Sequence, residues 1–271
     1  MQRPSSPSLG PSIILSGEVF VRYFSNSVGE REDVMEADKY EVLSFDCYGT
    51  LVDWESGIIA GLRPILRIHG VEATDDEILD LHAQTEHKLQ AASKRGSYVK
   101  YRDVLGEEVR EAGRRWGFEP SPSEVEALPD SVRYWLPFPD TVNALRALKG
   151  RYKLAIVSNI DDGLFALTAR YLEVEFDYIV TAEQAGTYKP SPNNFELAVE
   201  RIGVAPEKLL HVAESLFHDH VPAKGMGLDT AWIHRRAAKG GFGATPPAEA
   251  EPDLEVPDLE SLVHALGLRG A

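Results

Sequence analysis

The strongest constraint on this chain is a change of rhythm at Pro137. After it, short apolar runs alternate with amphipathic helical stretches. KLAIVSN is followed by a helix carrying Leu164, Leu167 and Tyr171, and FDYIVTA by one carrying Phe195, Val199 and Ile202. KLLHVAE and TAWIHR complete the series. Apolar runs without polar alternation are strands covered on both faces, and helices between them predict parallel pairing. A strand of the same kind, YEVLSFD, lies far upstream and ends at Asp46. The fold class expected is α/β, a Rossmann-like parallel sheet with helices on both faces.

The stretch between these two blocks carries no strand signal. Ile78, His82, Thr85 and Leu89 recur at helical spacing, as do Tyr101, Leu105, Val109, Ala112 and Trp116. Val125, Leu128, Val132 and Trp135 form a third stripe. Residues 59–136 therefore read as an inserted all-helical cap, with 39–58 and 137–271 as the core. Asp140 is expected to cap the helix that follows it. TAWIHR is expected to be the last strand. Residues 236–257, rich in Gly, Pro, Ala and Glu, read as a surface loop before a short final helix. Residues 1–38 are expected to form a poorly ordered extension. They begin with a Pro/Ser-rich run and lack the combined features of a signal peptide.

Composition removes several classes of function. A net charge of −15 gives no electrostatic footprint for nucleic acid or an anionic lipid surface. No apolar run approaches the ~20 residues of a membrane span. The one cysteine, Cys47, cannot form an internal disulfide, which suits a reducing cytoplasm.

Polar residues stand at the carboxyl ends of four strands: Asp46 with Thr50, Ser158 with Asn159, Lys189, and Glu214 with Asp219. On a parallel sheet these ends share one rim, where ligands bind. Each is weak evidence alone, since an Asp after a strand is more often a turn residue or a cap. Four in this order describe one pocket.

The segments SFDCYGTLVDW, VSN, YKPSPNNFELA and HVAESLFHDHVPAKGMG resemble the haloacid dehalogenase superfamily of hydrolases, in the subgroup with a helical cap after the first strand. The resemblance covers about residues 40–266. It implies that Asp46 is a nucleophile forming a covalent ester that water then hydrolyses. Lys189 would hold and charge-balance Asp46. Thr50, Ser158 and Asn159 would donate hydrogen bonds to substrate or nucleophile, and Asp219 would orient or deprotonate water, or hold a metal.

Phosphatases of this superfamily place an Asp two residues after the nucleophile as general acid, because an alkoxide leaves poorly unprotonated. Here that residue is Tyr48, a poor substitute at an ordinary pKa of about 10. A halide needs no proton. DCYGTL thus resembles the type II 2-haloacid dehalogenases, which use no metal. The expected reaction is hydrolytic dehalogenation of a small 2-haloacid, an anionic substrate, with no cofactor, in a chain that could pair as a homodimer. Tyr48 and His82 would also contact substrate. His82 stands where those enzymes carry a cap arginine, a weaker and pH-dependent anion partner. Glu214 and Leu216 replace Ser and Asn, and Phe195 replaces Tyr. The Glu214–Asp219 spacing also resembles that of magnesium-dependent phosphatases, which leaves a Mg2+-dependent phosphatase as the alternative. A third reading is a non-catalytic scaffold. His218 and His220 read as loop residues, and Trp54 as entrance or packing.

Overall fold

The computed structural model describes residues 37–93, 97–236 and 245–268. The expected N-terminal extension falls outside them up to residue 36. The core is one six-stranded sheet in which every pairing is parallel. In chain order the strands are β1 (Val42–Phe45), β2 (Lys153–Ser158), β3 (Tyr178–Thr181), β4 (Leu209–Ala213), β5 (Asp229–Ile233) and β6 (Leu254–Val256). Their spatial order is β3-β2-β1-β4-β5-β6. The first strand is thus central, with Phe45 beside both Ile156 and Val212. The order reverses there, so a crevice opens beyond the carboxyl end of β1, at Asp46.

Strand β6 corrects the sequence reading, which ended the sheet at TAWIHR and treated residues 236–257 as loop. Leu254 and Val256 pair with Ala231 and Ile233 and are buried. Two buried residues around one Glu give too short a pattern to stand out in a Pro- and Glu-rich stretch. Asp140 is a second correction. Its side chain does not cap α5 (Thr141–Lys149). It instead accepts from the Arg235 guanidinium at 2.8 Å and from the Leu259 N–H at 2.7 Å, tying β5 to the start of α10 (Leu259–Ala265).

The helices after β1 are α1 (Trp54–Ile68), α2 (Asp75–Ser93), α3 (Tyr101–Trp116) and α4 (Pro122–Ser131). Helix α1 begins five residues before the expected cap start at 59, because the Asp53 carboxylate accepts the Ser56 N–H at 3.2 Å and caps it there. The stripe Tyr101, Leu105, Val109 and Ala112 is buried, as the spacing predicts. Trp135 is also buried, against a groove that only glycine leaves open. A Cβ on Gly57 would lie 2.5 Å from the indole ring.

Asp161 fastens these helices to the sheet. It is buried just after β2, and its carboxylate accepts from the backbone N–H groups of Tyr101 (2.9 Å) and Arg102 (2.8 Å) and from the Tyr98 hydroxyl (2.7 Å). The first N–H groups of a helix have no partner within it, and an anion there also meets the positive end of the dipole. A residue beside β2 therefore caps α3. The Tyr188 hydroxyl adds a second tie, donating to the Val99 carbonyl at 2.7 Å. Among the described residues no helix is long and apolar enough to cross a membrane.

Gly57→Ala forces its methyl into the Trp135 ring. Overpacking of this kind costs about 1–3 kcal/mol, so the denaturant midpoint should fall with little change in slope. An unchanged midpoint would mean the indole moves aside freely.

Candidate active site

The turn after β1 builds the first half of the site. Gly49 lies at φ +99°, in the region that favours glycine, and its N–H donates to the Val52 carbonyl at 2.8 Å. The turn brings Thr50 back over the strand end. The Thr50 hydroxyl donates to Asp46 Oδ2 at 2.8 Å and accepts the Glu214 N–H at 2.9 Å. Thr50 thus links the carboxyl ends of β1 and β4 while orienting the Asp46 carboxylate.

Lys189 completes the second half. Its ammonium, 1% exposed, donates to Asp46 Oδ1 at 2.9 Å, Asp219 Oδ1 at 2.6 Å and the Val157 carbonyl at 2.8 Å. All three ammonium protons are committed, as a buried charge requires. Asn159 fixes the lysine backbone, accepting the Lys189 N–H at 2.6 Å and donating to the Lys189 carbonyl at 3.2 Å. Burial pushes the Asp46 carboxyl up, and the Lys189 ammonium opposes it. Burial also works against the Asp219 carboxylate. There the Lys189 and His211 donors prevail and hold it below the usual range.

The helices α1–α3 supply the opposite wall. A cavity of about 60 Å3 lies among Asp46, Trp54, His82, Glu86, Lys189 and Glu214. His82 Nδ1 sits 2.8 Å from Glu108 Oε2, and both side chains are buried. Its Nε2 lies 3.9 Å from Glu86 Oε2. Burial disfavours the imidazolium, yet Glu108 outweighs it and pushes the His82 pKa up to about 9. Burial, then Asp46 and Glu55, push Glu214 up to about 7. Burial likewise raises Glu86.

Of the eight sequence-derived site residues, all but Thr50 line the cavity. The buried Ser158 hydroxyl has no hydrogen-bond partner among the described residues. Tyr48, Thr50 and Asn159 have their polar groups engaged by the protein. The Tyr48 hydroxyl is 2.6 Å from Thr168 Oγ1, and its ring meets Trp135 edge-on. Trp54 packs 4.9 Å from the His82 ring and lines the cavity. His220 is buried and donates to the Ala213 carbonyl at 3.0 Å. Three residues were missed: Glu108, Glu86 and His211. Glu108 shares the buried face of α3 with Leu105 and Ala112, and a carboxylate on an apolar face signals a partner.

A magnesium ion would draw on the carboxylates of Asp46, Glu214 and Asp219, all of which line the cavity. Both Asp46 carboxylate oxygens and Asp219 Oδ1 already accept hydrogen bonds from Lys189, Thr50 or His211. Magnesium takes such oxygens as ligands in near-ideal octahedral geometry. Among the described residues no group of three or more His, Cys, Asp and Glu is arranged to hold a metal ion.

Removing one member of a buried ion cluster leaves the others uncompensated, at about 3–5 kcal/mol. Lys189→Met should destabilise by that order in urea unfolding at neutral pH. Adding Asp46→Asn should restore part of the loss by deleting one orphaned charge. A double variant no more stable than Lys189→Met would show that the two groups are not coupled.

Known proteins are similar to this chain in sequence and in fold. Haloacetate dehalogenase H-2 of Moraxella sp. (strain B) is 28% identical over 236 residues, covering 85% of this chain and 99% of that protein. The (S)-2-haloacid dehalogenase of Pseudomonas fluorescens is 26% identical over 226 residues, 82% of this chain and 94% of that one. The crystal structure of a defluorinating L-2-haloacid dehalogenase superposes with a TM-score of 0.73 at 24% identity, over 84% of this chain and 95% of that chain, and shows the same fold. A family model described as haloacid dehalogenase-like hydrolase matches residues 40–219, from two residues before β1 to the carboxylate that shares Lys189 with Asp46, and the chain belongs to that family of hydrolases.

Proposed function

We propose that the chain hydrolyses the carbon–halogen bond of a small 2-haloacid through an ester on Asp46. The observation that carries this reading is the state of Tyr48. It occupies the position from which a phosphatase acid would protonate an alkoxide, and its hydroxyl is bound to Thr168. The nucleophile is therefore suited to a leaving group that departs without a proton. The names of the relatives support the same chemistry. A cavity of about 60 Å3 suits a substrate of few heavy atoms.

In the first step an Asp46 oxygen bonds to the substrate α-carbon, and the halide leaves with the electron pair of the carbon–halogen bond. In the second, water adds to the ester carbonyl of Asp46 and the 2-hydroxy acid departs, restoring the carboxylate. Lys189 holds the nucleophile in line and balances its charge. His82, kept protonated by Glu108, supplies positive charge for the substrate carboxylate. The four helices form a cap over the rim that excludes bulk water. No cofactor is required by these steps, and the single buried cysteine suits a reducing cytoplasm.

Halide release from 2-chloropropionate or chloroacetate in the presence of chelator tests the reading. Asp46→Asn should abolish it. Absence of release above that control would sink the proposal.

The pocket also sets a pH dependence. Raising the pH ionises Glu214 near 7, which adds negative charge, and discharges His82 near 9, which removes positive charge. Both changes weaken an anion. KM for a haloacid should rise above pH 7 and again towards 9, while a neutral 2-haloamide should show neither rise. Glu108→Gln should raise KM for the anion at neutral pH by about tenfold, as expected for loss of a charge-assisted bond. Equal effects on acid and amide would remove His82 from anion binding.

A further inference from the structure

Strand β4 reads LLHVA, and all five residues are buried. A histidine between leucine and valine in a central strand is costly unless its ring nitrogens are paired. Both are. The β1–β4 register sets Ser44 beside His211, and Ser44 Oγ lies 2.9 Å from His211 Nδ1. His211 Nε2 lies 2.9 Å from Asp219 Oδ1. A carboxylate oxygen can only accept, so Nε2 carries the proton, and in the neutral ring Nδ1 accepts the Ser44 hydroxyl. The Phe195 ring stands edge-on to the imidazole at 4.9 Å and limits its swing.

The pairing decides which Asp219 oxygen faces the reaction. Oδ1 takes two donors, Lys189 and His211. Oδ2 is buried without a hydrogen-bond partner among the described residues, on a side chain that lines the cavity. Rotating the carboxylate would break two bonds, so Oδ2 is held as the free acceptor. Lys189 also holds Asp46, so its loss must disturb both chemical steps. His211 touches Asp219 and not Asp46.

We propose that His211, seated by Ser44, is a positioning residue for the second half of the reaction, holding Asp219 so that Oδ2 receives the water that hydrolyses the ester. The inference rests on the aspartyl-ester reading above. The water oxygen bonds to the ester carbonyl carbon of Asp46 while one of its protons passes to Asp219 Oδ2. The bond from that carbon to the ester oxygen then breaks. Asp219 returns its proton to the departing alkoxide, and the carboxylic acid left on Asp46 ionises to solvent. Attack of Asp46 on the substrate needs no proton transfer, so it should not depend on His211.

Rapid-quench measurement of halide release from excess 2-chloropropionate, with intact-protein mass spectrometry, separates the two steps. His211→Leu should release about one halide per active site at near the unmodified rate, then turn over about tenfold or more slowly, with the ester accumulating on the protein. His211→Gln, whose amide can donate near the Nε2 position, should recover much of the loss. Ser44→Ala should act in the same direction but less, and both of these variants carry the test if the leucine substitution fails to fold. Equal slowing of both phases, or no slowing in any variant, would overturn the inference while leaving the dehalogenase reading intact. Failure of the unmodified protein to release halide would overturn both.

Discussion

The site is organised around one buried ammonium. Lys189 Nζ is bonded to Asp46, Asp219 and the Val157 carbonyl at once, and thereby ties the residue after β1, a carbonyl near the end of β2 and a residue beyond β4 together. Two carboxylates this close would repel strongly in a low-dielectric setting, and the cation between them offsets that repulsion. The consequences run outward. Thr50 must close over Asp46 from one side, and His211 must take up the Asp219 oxygen that the lysine shares. Such a cluster is a poor source of net stability, since desolvation opposes the attraction, but it fixes the geometry of the reacting carboxylate.

The cavity above that cluster has an unusual charge balance for an anionic substrate. Glu86 and Glu214 line it together with Asp46, and the positive charge on the cap side comes from a histidine. That histidine is useful only because Glu108 is buried behind it. A guanidinium would carry its charge at any pH, whereas the charge of this pair depends on protonation. The same helices are fastened to the sheet by Asp161, so the wall carrying His82 and the wall carrying Asp46 are held in register by a helix cap, a local device acting between two layers.

Much of this was legible in the residues. The parallel sheet followed from apolar runs separated by amphipathic helices, because strands buried on both faces leave no polar alternation. The convergence of Asp46, Lys189 and Asp219 followed from their places after strands, since parallel strands bring all carboxyl ends to one edge. Tyr48, by its type alone, argued against a leaving group that needs a proton. Other features were hidden. Strand β6 has three residues, too few for a period. Asp140 sits where a cap residue would, but the Arg235 guanidinium and the Leu259 N–H, far along the chain, claim its carboxylate. Thr50 and Asn159 were read as donors to substrate or nucleophile; Thr50 does donate to Asp46, whereas Asn159 is taken up by the Lys189 backbone.

Sequence by itself determined the layer architecture, the polar residues at the strand ends and the rim on which they meet, because those depend on periodicity and on strand direction, which are local properties. Only the tertiary structure decided which oxygen pairs with which donor. Hydrogen bonds act over about 3 Å, and the residues concerned, His82 with Glu108 and His211 with Ser44 and Asp219, are neighbours through helix packing, strand register and a turn rather than through any spacing in the chain.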